Sequence, residues 1–200
     1  MVVLAPTAGG KTESAFFPVM SQMLDESWDG ISVLYVSPIK ALLNNQEQRL
    51  HKYMQLVGRR AALWHGDTPQ GERKRILSEP PDLLLTTPES LEVMLVSSKI
   101  DHHRFFKNIK VVVIDEVHAF AGDDRGWHLL SVFARIAKLA KHDLQRIGLS
   151  ATVGNPDEML SWLSSGSERP QKVVWPKGKS DEQPDVQLDF VGSLANAAKV

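Results

Sequence analysis

The sequence predicts an α/β domain built on a doubly wound, mainly parallel sheet. Three observations carry that expectation. Short apolar runs alternate along the chain with amphipathic stretches, the pattern of successive βαβ units. The runs are continuous in Val, Ile and Leu, as strands covered on both faces require. Proline stands repeatedly after a Ser, Thr or Asn where a helical pattern begins, and there its missing N–H is no loss.

Taken in order, strands are expected over residues 2–5, 31–36, 60–64, 82–86, 110–114 and 146–150. Pro38, Pro69, Pro88 and Pro156 are expected as first helical residues, capped by Ser37, Thr68, Thr87 and Asn155. Asn155 also has Glu158 three residues on, the spacing of a capping box. The clearest helix covers 126–141, with Leu129, Val132, Phe133, Ile136 and Ala140 on one face and Arg135, Lys138 and Lys141 off it. Beyond Ser164 the texture turns to Ser, Pro, Gly and charge. Residues 172–175 form a possible edge strand there, and 186–190 alternate like a new strand. The organisation expected is a domain over 1–164 truncated at its N-terminus, an edge strand and linker over 165–185, and the start of a second domain over 186–200.

Composition narrows the function classes. Two hundred residues, 42% hydrophobic and 24% charged, suffice for a full core and a soluble surface. With 23 Lys+Arg against 24 Asp+Glu the formal charge is −1, which excludes a polybasic tail but not a local grip on a nucleic-acid backbone. The absence of cysteine excludes a disulfide framework and a Cys-based zinc site. No apolar run approaches the roughly 18–20 residues that span a bilayer, and the N-terminus lacks the basic and apolar regions of a signal peptide. A cytoplasmic protein without membrane contact is expected.

Three loops carry chemistry. Ala5-Pro6-Thr7-Ala8-Gly9-Gly10-Lys11-Thr12 follows the first strand with the spacing of a phosphate-binding P-loop. Small residues there let successive N–H groups wrap a phosphate, Lys11 reaches the β/γ-phosphates, and Thr12 ligates Mg²⁺ from the helix start. The plain alternative is a small-residue turn capping a helix. The second loop is Asp115-Glu116-Val117-His118, after the buried run 111–114. Two adjacent carboxylates at a strand end suit a cation and a proton acceptor: Asp115 for Mg²⁺, Glu116 for the attacking water. The third, Ser150-Ala151-Thr152, places two hydroxyls after the next strand, able to relay hydrogen bonds away from a γ-phosphate.

This set, in this order, resembles the first RecA-like motor domain of superfamily 2 DExH-type helicases. His65–Arg73, Pro80–Leu91 and Gln145–Thr152 are similar to the large helicase-related (Lhr) branch, close to the Ski-like helicases. The resemblance implies ATP and Mg²⁺ as cofactors and a single tracking strand of DNA or RNA as partner. It also implies coupling through His118, Ser150 and Thr152. Ser37, Pro38 and Lys40 look like motif Ia and Thr87, Pro88 and Glu89 like motif Ib, both gripping a nucleic-acid backbone, with Gly66 and Asp67 shaping the same groove. Helix N-termini with hydroxyls suit phosphates without basic charge.

Ala8-Gly9 departs from the Gly-Ser usual in the family. An upstream adenine-recognising segment and a second RecA-like domain with arginine fingers would also be needed. An arginine finger is worth roughly 10³–10⁵ in rate, so the fragment alone is expected to be weak or inactive. The alternative is a non-catalytic docking module on the same fold. Arg73-Lys74-Arg75 reads as a solvated helix face, His102-His103 as no metal site, and Trp127 and His128 as packing residues.

Overall fold

A computed structural model of the chain describes residues 1–6, 9–151 and 154–175. Seven strands form one sheet: β1 (Val2–Leu4), β2 (Val33–Val36), β3 (Ala61–Trp64), β4 (Leu83–Thr86), β5 (Val111–Ile114), β6 (Gln145–Ser150) and β7 (Val173–Val174). Their order is β3-β4-β2-β5-β6-β1-β7, and every pairing is parallel. The expected edge strand thus appears as β7 beside β1. The expected strand at 186–190 and the second-domain start over 186–200 lie outside the described residues.

Helices cover both faces. On one lie α1 (Lys11–Asp25) and α2 (Lys40–Leu56). The other carries α3 (Gln70–Ser78), α4 (Pro88–Val96), α5 (His102–Phe106), α6 (Asp124–Ala140) and α7 (Pro156–Leu163). Alternate strand residues point to opposite faces, and the two cores divide accordingly. Val33, Tyr35, Val111 and Val113 join Phe16, Met23 and Leu50, whereas Leu34, Val112 and Ile114 join Phe106, Phe133 and Leu163. This explains the unbroken apolar runs: each residue of β5 is buried, on one side or the other.

The capping expectations divide. Thr87 accepts a hydrogen bond from the Ser90 N–H ahead of Pro88, and Asn155 accepts from the Glu158 N–H ahead of Pro156. The Glu158 carboxylate accepts from the Asn155 side-chain Nδ2 at 3.0 Å, a side-chain contact in place of the backbone N–H that a capping box uses. The other two sites differ. Helix α2 starts at Lys40 with Ile39 at its cap, so Pro38 lies in the preceding loop and the Ser37 hydroxyl is buried without a partner. Helix α3 starts at Gln70 with Pro69 itself at the cap. Thr68 instead closes a turn, its hydroxyl accepting from His65 N–H and donating to the Leu63 carbonyl. Thr68 thus serves the turn at the end of β3, which a dipeptide rule does not see. The long helix ends at Ala140, with Lys141 in the left-handed region at φ 61° as its cap.

Parallel strands bring all their carboxyl ends to one edge, where ligands of such sheets lie. The loops after β1, β2, β3, β4, β5 and β6 all emerge there.

Candidate functional site

The end of this edge above β1, β5 and β6 forms a small pocket of about 190 Å³. It is lined by Gly9, Gly10, Lys11 and Thr12 from the first loop and by Asp115 and Glu116 from β5. Gly10 precedes α1 with φ 73°, a left-handed conformation that favours glycine. A Cβ at Gly9 would stand 2.8 Å from the Pro6 carbonyl oxygen, so the loop closes only with glycine there. No side chain caps α1, and its first N–H groups are left for an external acceptor. Lys11 Nζ donates to the Ala5 carbonyl at 3.0 Å. Thr7 and Ala8, expected in the same loop, lie outside the described residues, as does Thr152.

Thr12 and Asp115 are both buried, from two different strand ends. Beside them is the Tyr35 phenol, fully buried and without a well-formed hydrogen bond. Burial pushes its pKa well up, and the Asp115 carboxylate adds to the effect. Glu116 is held at φ 45°, ψ 48°, a backbone state that costs a non-glycine residue about 1–2 kcal/mol. His118 Nδ1 shares a 2.8 Å hydrogen bond with Ser150 Oγ and lies 3.4 Å from Glu116 Oε2. The β5 and β6 loops are thereby joined through one imidazole.

A second concavity, of about 550 Å³, opens above β2, β3 and β4. Pro38, Lys40, Gly66, Thr87 and Glu89 line it, together with Arg73 and Arg125. Lys40 Nζ bridges both Asp67 carboxylate oxygens at 2.9 Å. Arg125 donates to Glu89 Oε1 at 2.8 Å and to the Pro38 carbonyl at 3.1 Å, fastening the β2 loop to α4. Asp67 N–H donates to His65 Nδ1 at 3.2 Å, which leaves His65 Nε2 as the donor to Asn44 Oδ1 at 3.1 Å.

Three readings of the sequence need correction here. Arg73 is not on a solvated face: it donates to the carbonyls of His65, Gly66 and Thr68 and lies over the Trp64 ring. Trp127 is not packed but 59% exposed, and His128 bonds to Glu92 rather than packing. Arg125 is not among the candidate site residues of the sequence, yet it ties the β2 loop to α4. At the phosphate pocket, Leu42, Gln46 and Arg49 of α2 complete the wall. Their spacing on one helix face was the only available signal.

Residues 1–159 match the DEAD/DEAH box helicase family. The chain belongs to that family. Its relatives include the Lhr helicase/probable uracil glycosylase of Mycolicibacterium smegmatis, 37% identical over 98% of the chain and 14% of the relative. The ATP-dependent helicase Lhr-Core of Methanothermobacter thermautotrophicus is 36% identical over 87% of the chain and 22% of its own length. The helicase domain therefore spans well under a third of the length of these relatives. Among solved structures it is similar to Mycobacterium smegmatis helicase Lhr bound to ssDNA and AMP-PNP. That match has a TM-score of 0.78 and 36% identity over 88% of this chain and 23% of that one. The fold is shared more widely: Mss116p bound to ssRNA and AMP-PNP superposes with a TM-score of 0.72 at 16% identity, over 87% of this chain and 35% of that one. Among the described residues, no helix is long and apolar enough to cross a membrane.

Proposed function

We propose that the domain binds Mg-ATP at the pocket above β1 and β5 and grips the backbone of one nucleic-acid strand in the groove above β2–β4. It would serve as one half of an ATP-driven motor, completed by a second RecA-like domain of the full-length chain. The observation that carries this reading is convergence: Lys11 and Thr12 from one strand end meet Asp115 and Glu116 from another in a single pocket.

The residues fit the ligand. An uncapped helix start behind a glycine loop presents N–H groups to phosphate oxygens. The Ala5 carbonyl that holds Lys11 is neutral, and a phosphate oxygen competes with it through a stronger, charge-assisted bond. Thr12 and Asp115 offer the hard oxygen donors that Mg²⁺ prefers; when bound, the ion would neutralise charge on the phosphates. Glu116 accepts the proton of the attacking water at its carboxylate. His118 and Ser150, already hydrogen-bonded, carry a change at Glu116 toward the β6 loop and Thr152.

In the groove, Thr87, Pro38 and Gly66 supply hydroxyl and backbone contacts and Lys40 supplies charge, whereas Ser37, expected in the same role, is fully buried beneath the groove and would touch no nucleic-acid strand. Asp67 and Glu89 repel a phosphate. Their part is to hold Lys40 and Arg125 in place. The similar helicase Lhr, solved bound to ssDNA and AMP-PNP, supports a reading that includes both a nucleotide and a single strand.

Calorimetric titration of Mg-ATP, with and without a single strand, tests the reading. Binding that Lys11→Ala abolishes is expected. In the full-length protein Glu116→Gln should keep binding and stop turnover, and undiminished hydrolysis would remove Glu116 as the base. No Mg-ATP binding at millimolar concentration would instead favour a docking module.

A further inference from the structure

The phosphate pocket has a wall that the motifs do not supply. Leu42, Gln46 and Arg49 stand at i, i+4 and i+7 of α2, one face of the helix, and all three line the pocket that holds Lys11, Asp115 and Glu116. Arg49 is parked on Glu13, the residue after Thr12, through its Nη2 and Glu13 Oε1. Tyr53 steadies the pair: its hydroxyl donates to the same Oε1 at 2.7 Å and accepts from Arg49 Nε at 3.3 Å. The hold on Arg49 is one-sided: only Glu13 Oε1 is engaged, while Glu13 Oε2 is buried without a hydrogen-bond partner, so the pair lacks the two parallel bonds of a strong carboxylate–guanidinium contact.

We propose that Arg49 is a phosphate-sensing residue supplied by this domain itself, exchanging its Glu13 partner for the terminal phosphate of a bound nucleoside triphosphate. The proposal rests on the nucleotide reading above. The Arg49 side chain is 41% exposed, and an ion pair in that setting holds weakly against competition. A terminal phosphate offers more charge and paired oxygens that match the guanidinium fork. The pocket sets Arg49 against Glu116, the residue assigned to the attacking water, so the phosphate it meets is the one a diphosphate lacks. Glu13 then acts as a competitor that keeps the arginine poised while the pocket holds no triphosphate.

The test compares Mg-AMP-PNP with Mg-ADP by calorimetry on this chain and its variants. Arg49→Met should weaken AMP-PNP about tenfold and leave ADP within about twofold, the loss expected for a hydrogen bond to a charged group. Arg49→Lys should fall between, and Glu13→Gln should raise the preference for AMP-PNP. A structural role for Arg49 predicts something else: both nucleotides weakened alike, with a lowered melting temperature. Equal loss, or no loss, in Arg49→Met and Arg49→Lys overturns the proposal while leaving the P-loop reading intact. If Lys11→Ala binds both nucleotides undiminished, the P-loop reading itself falls.

Discussion

Above β1 the loop is made of small residues, above β5 it carries Asp115 and Glu116, and among the described residues Lys11 leans only on the Ala5 carbonyl. Above β2–β4 each groove cation already has a partner: Lys40 has Asp67, Arg125 has Glu89 and Arg73 has three backbone carbonyls. On the proposed reading, the first region would take an anion without giving up an ion pair, whereas the second would have to exchange internal contacts for a phosphate and would grip modestly. The net charge of −1 does not argue against a nucleic-acid partner, because local cations can still meet a backbone.

The severest way to break this contrast is to disturb the turn that brings Arg125 to the groove. A Cβ on Gly126 would stand 1.9 Å from the Phe120 carbonyl oxygen and 2.9 Å from the Trp162 ring. Gly126→Ala should therefore destabilise the domain by about 3 kcal/mol, as overpacking against backbone does, read from urea unfolding. Lys11→Ala should act on the other region alone. Mg-ATP binding should be lost, a fall of at least about 100-fold from losing charge-assisted bonds, with strand affinity in the absence of nucleotide unchanged. If strand binding falls equally, the two regions are not separable.

Arg125→Ala should produce the mirror image, at lower magnitude. Strand affinity falls about tenfold for every sequence tested, because the contact is to backbone rather than base, and Mg-ATP affinity holds. Smaller again is the effect of relieving Glu116. Its φ of 45° suits glycine, so Glu116→Gly should raise stability by about 1 kcal/mol while turnover in the full-length protein disappears. A variant no more stable than the parent would mean that the local contacts of Glu116, including His118 3.4 Å away, offset the strain.

The contrast also explains which parts of the molecule were legible in the sequence. Strand cores were, because burial on both faces leaves runs such as 111–114 with no polar break. The meeting of Lys11 and Thr12 with Asp115 and Glu116 was, because a glycine-rich loop and adjacent carboxylates after strands are patterns of fixed spacing. The groove was legible only in its loops. Arg125 acts through a contact across 87 residues of chain, and long-range pairing leaves no local pattern. The same reason hid Arg49, whose partner Glu13 lies 36 residues away. Two proline-based helix starts were misplaced: Thr68 bonds within the turn after β3, and α2 begins two residues after Pro38, with Ser37 buried and capping nothing.

The finest probe of the comparison is acid. Burial opposes charge on Glu89, but a backbone N–H and the Arg125 guanidinium outweigh it and hold the carboxyl below the ordinary glutamate value. Asp67 is likewise held low, by its hydrogen bond from Lys40. Because both folded values are depressed, the stabilisation they bring is complete above the unfolded-state values near about 4. It is lost as pH falls through the folded ones. The groove ties should therefore be indifferent to pH between about 5 and 8 and loosen only in the acid limb below. Glu89→Gln should flatten that limb by no more than a few tenths of a kcal/mol, since the Glu89 side chain is 58% exposed and solvent screens the pair. An acid limb unchanged in Glu89→Gln would show that the Pro38 carbonyl alone positions Arg125, and that this cation is less firmly committed than Lys40.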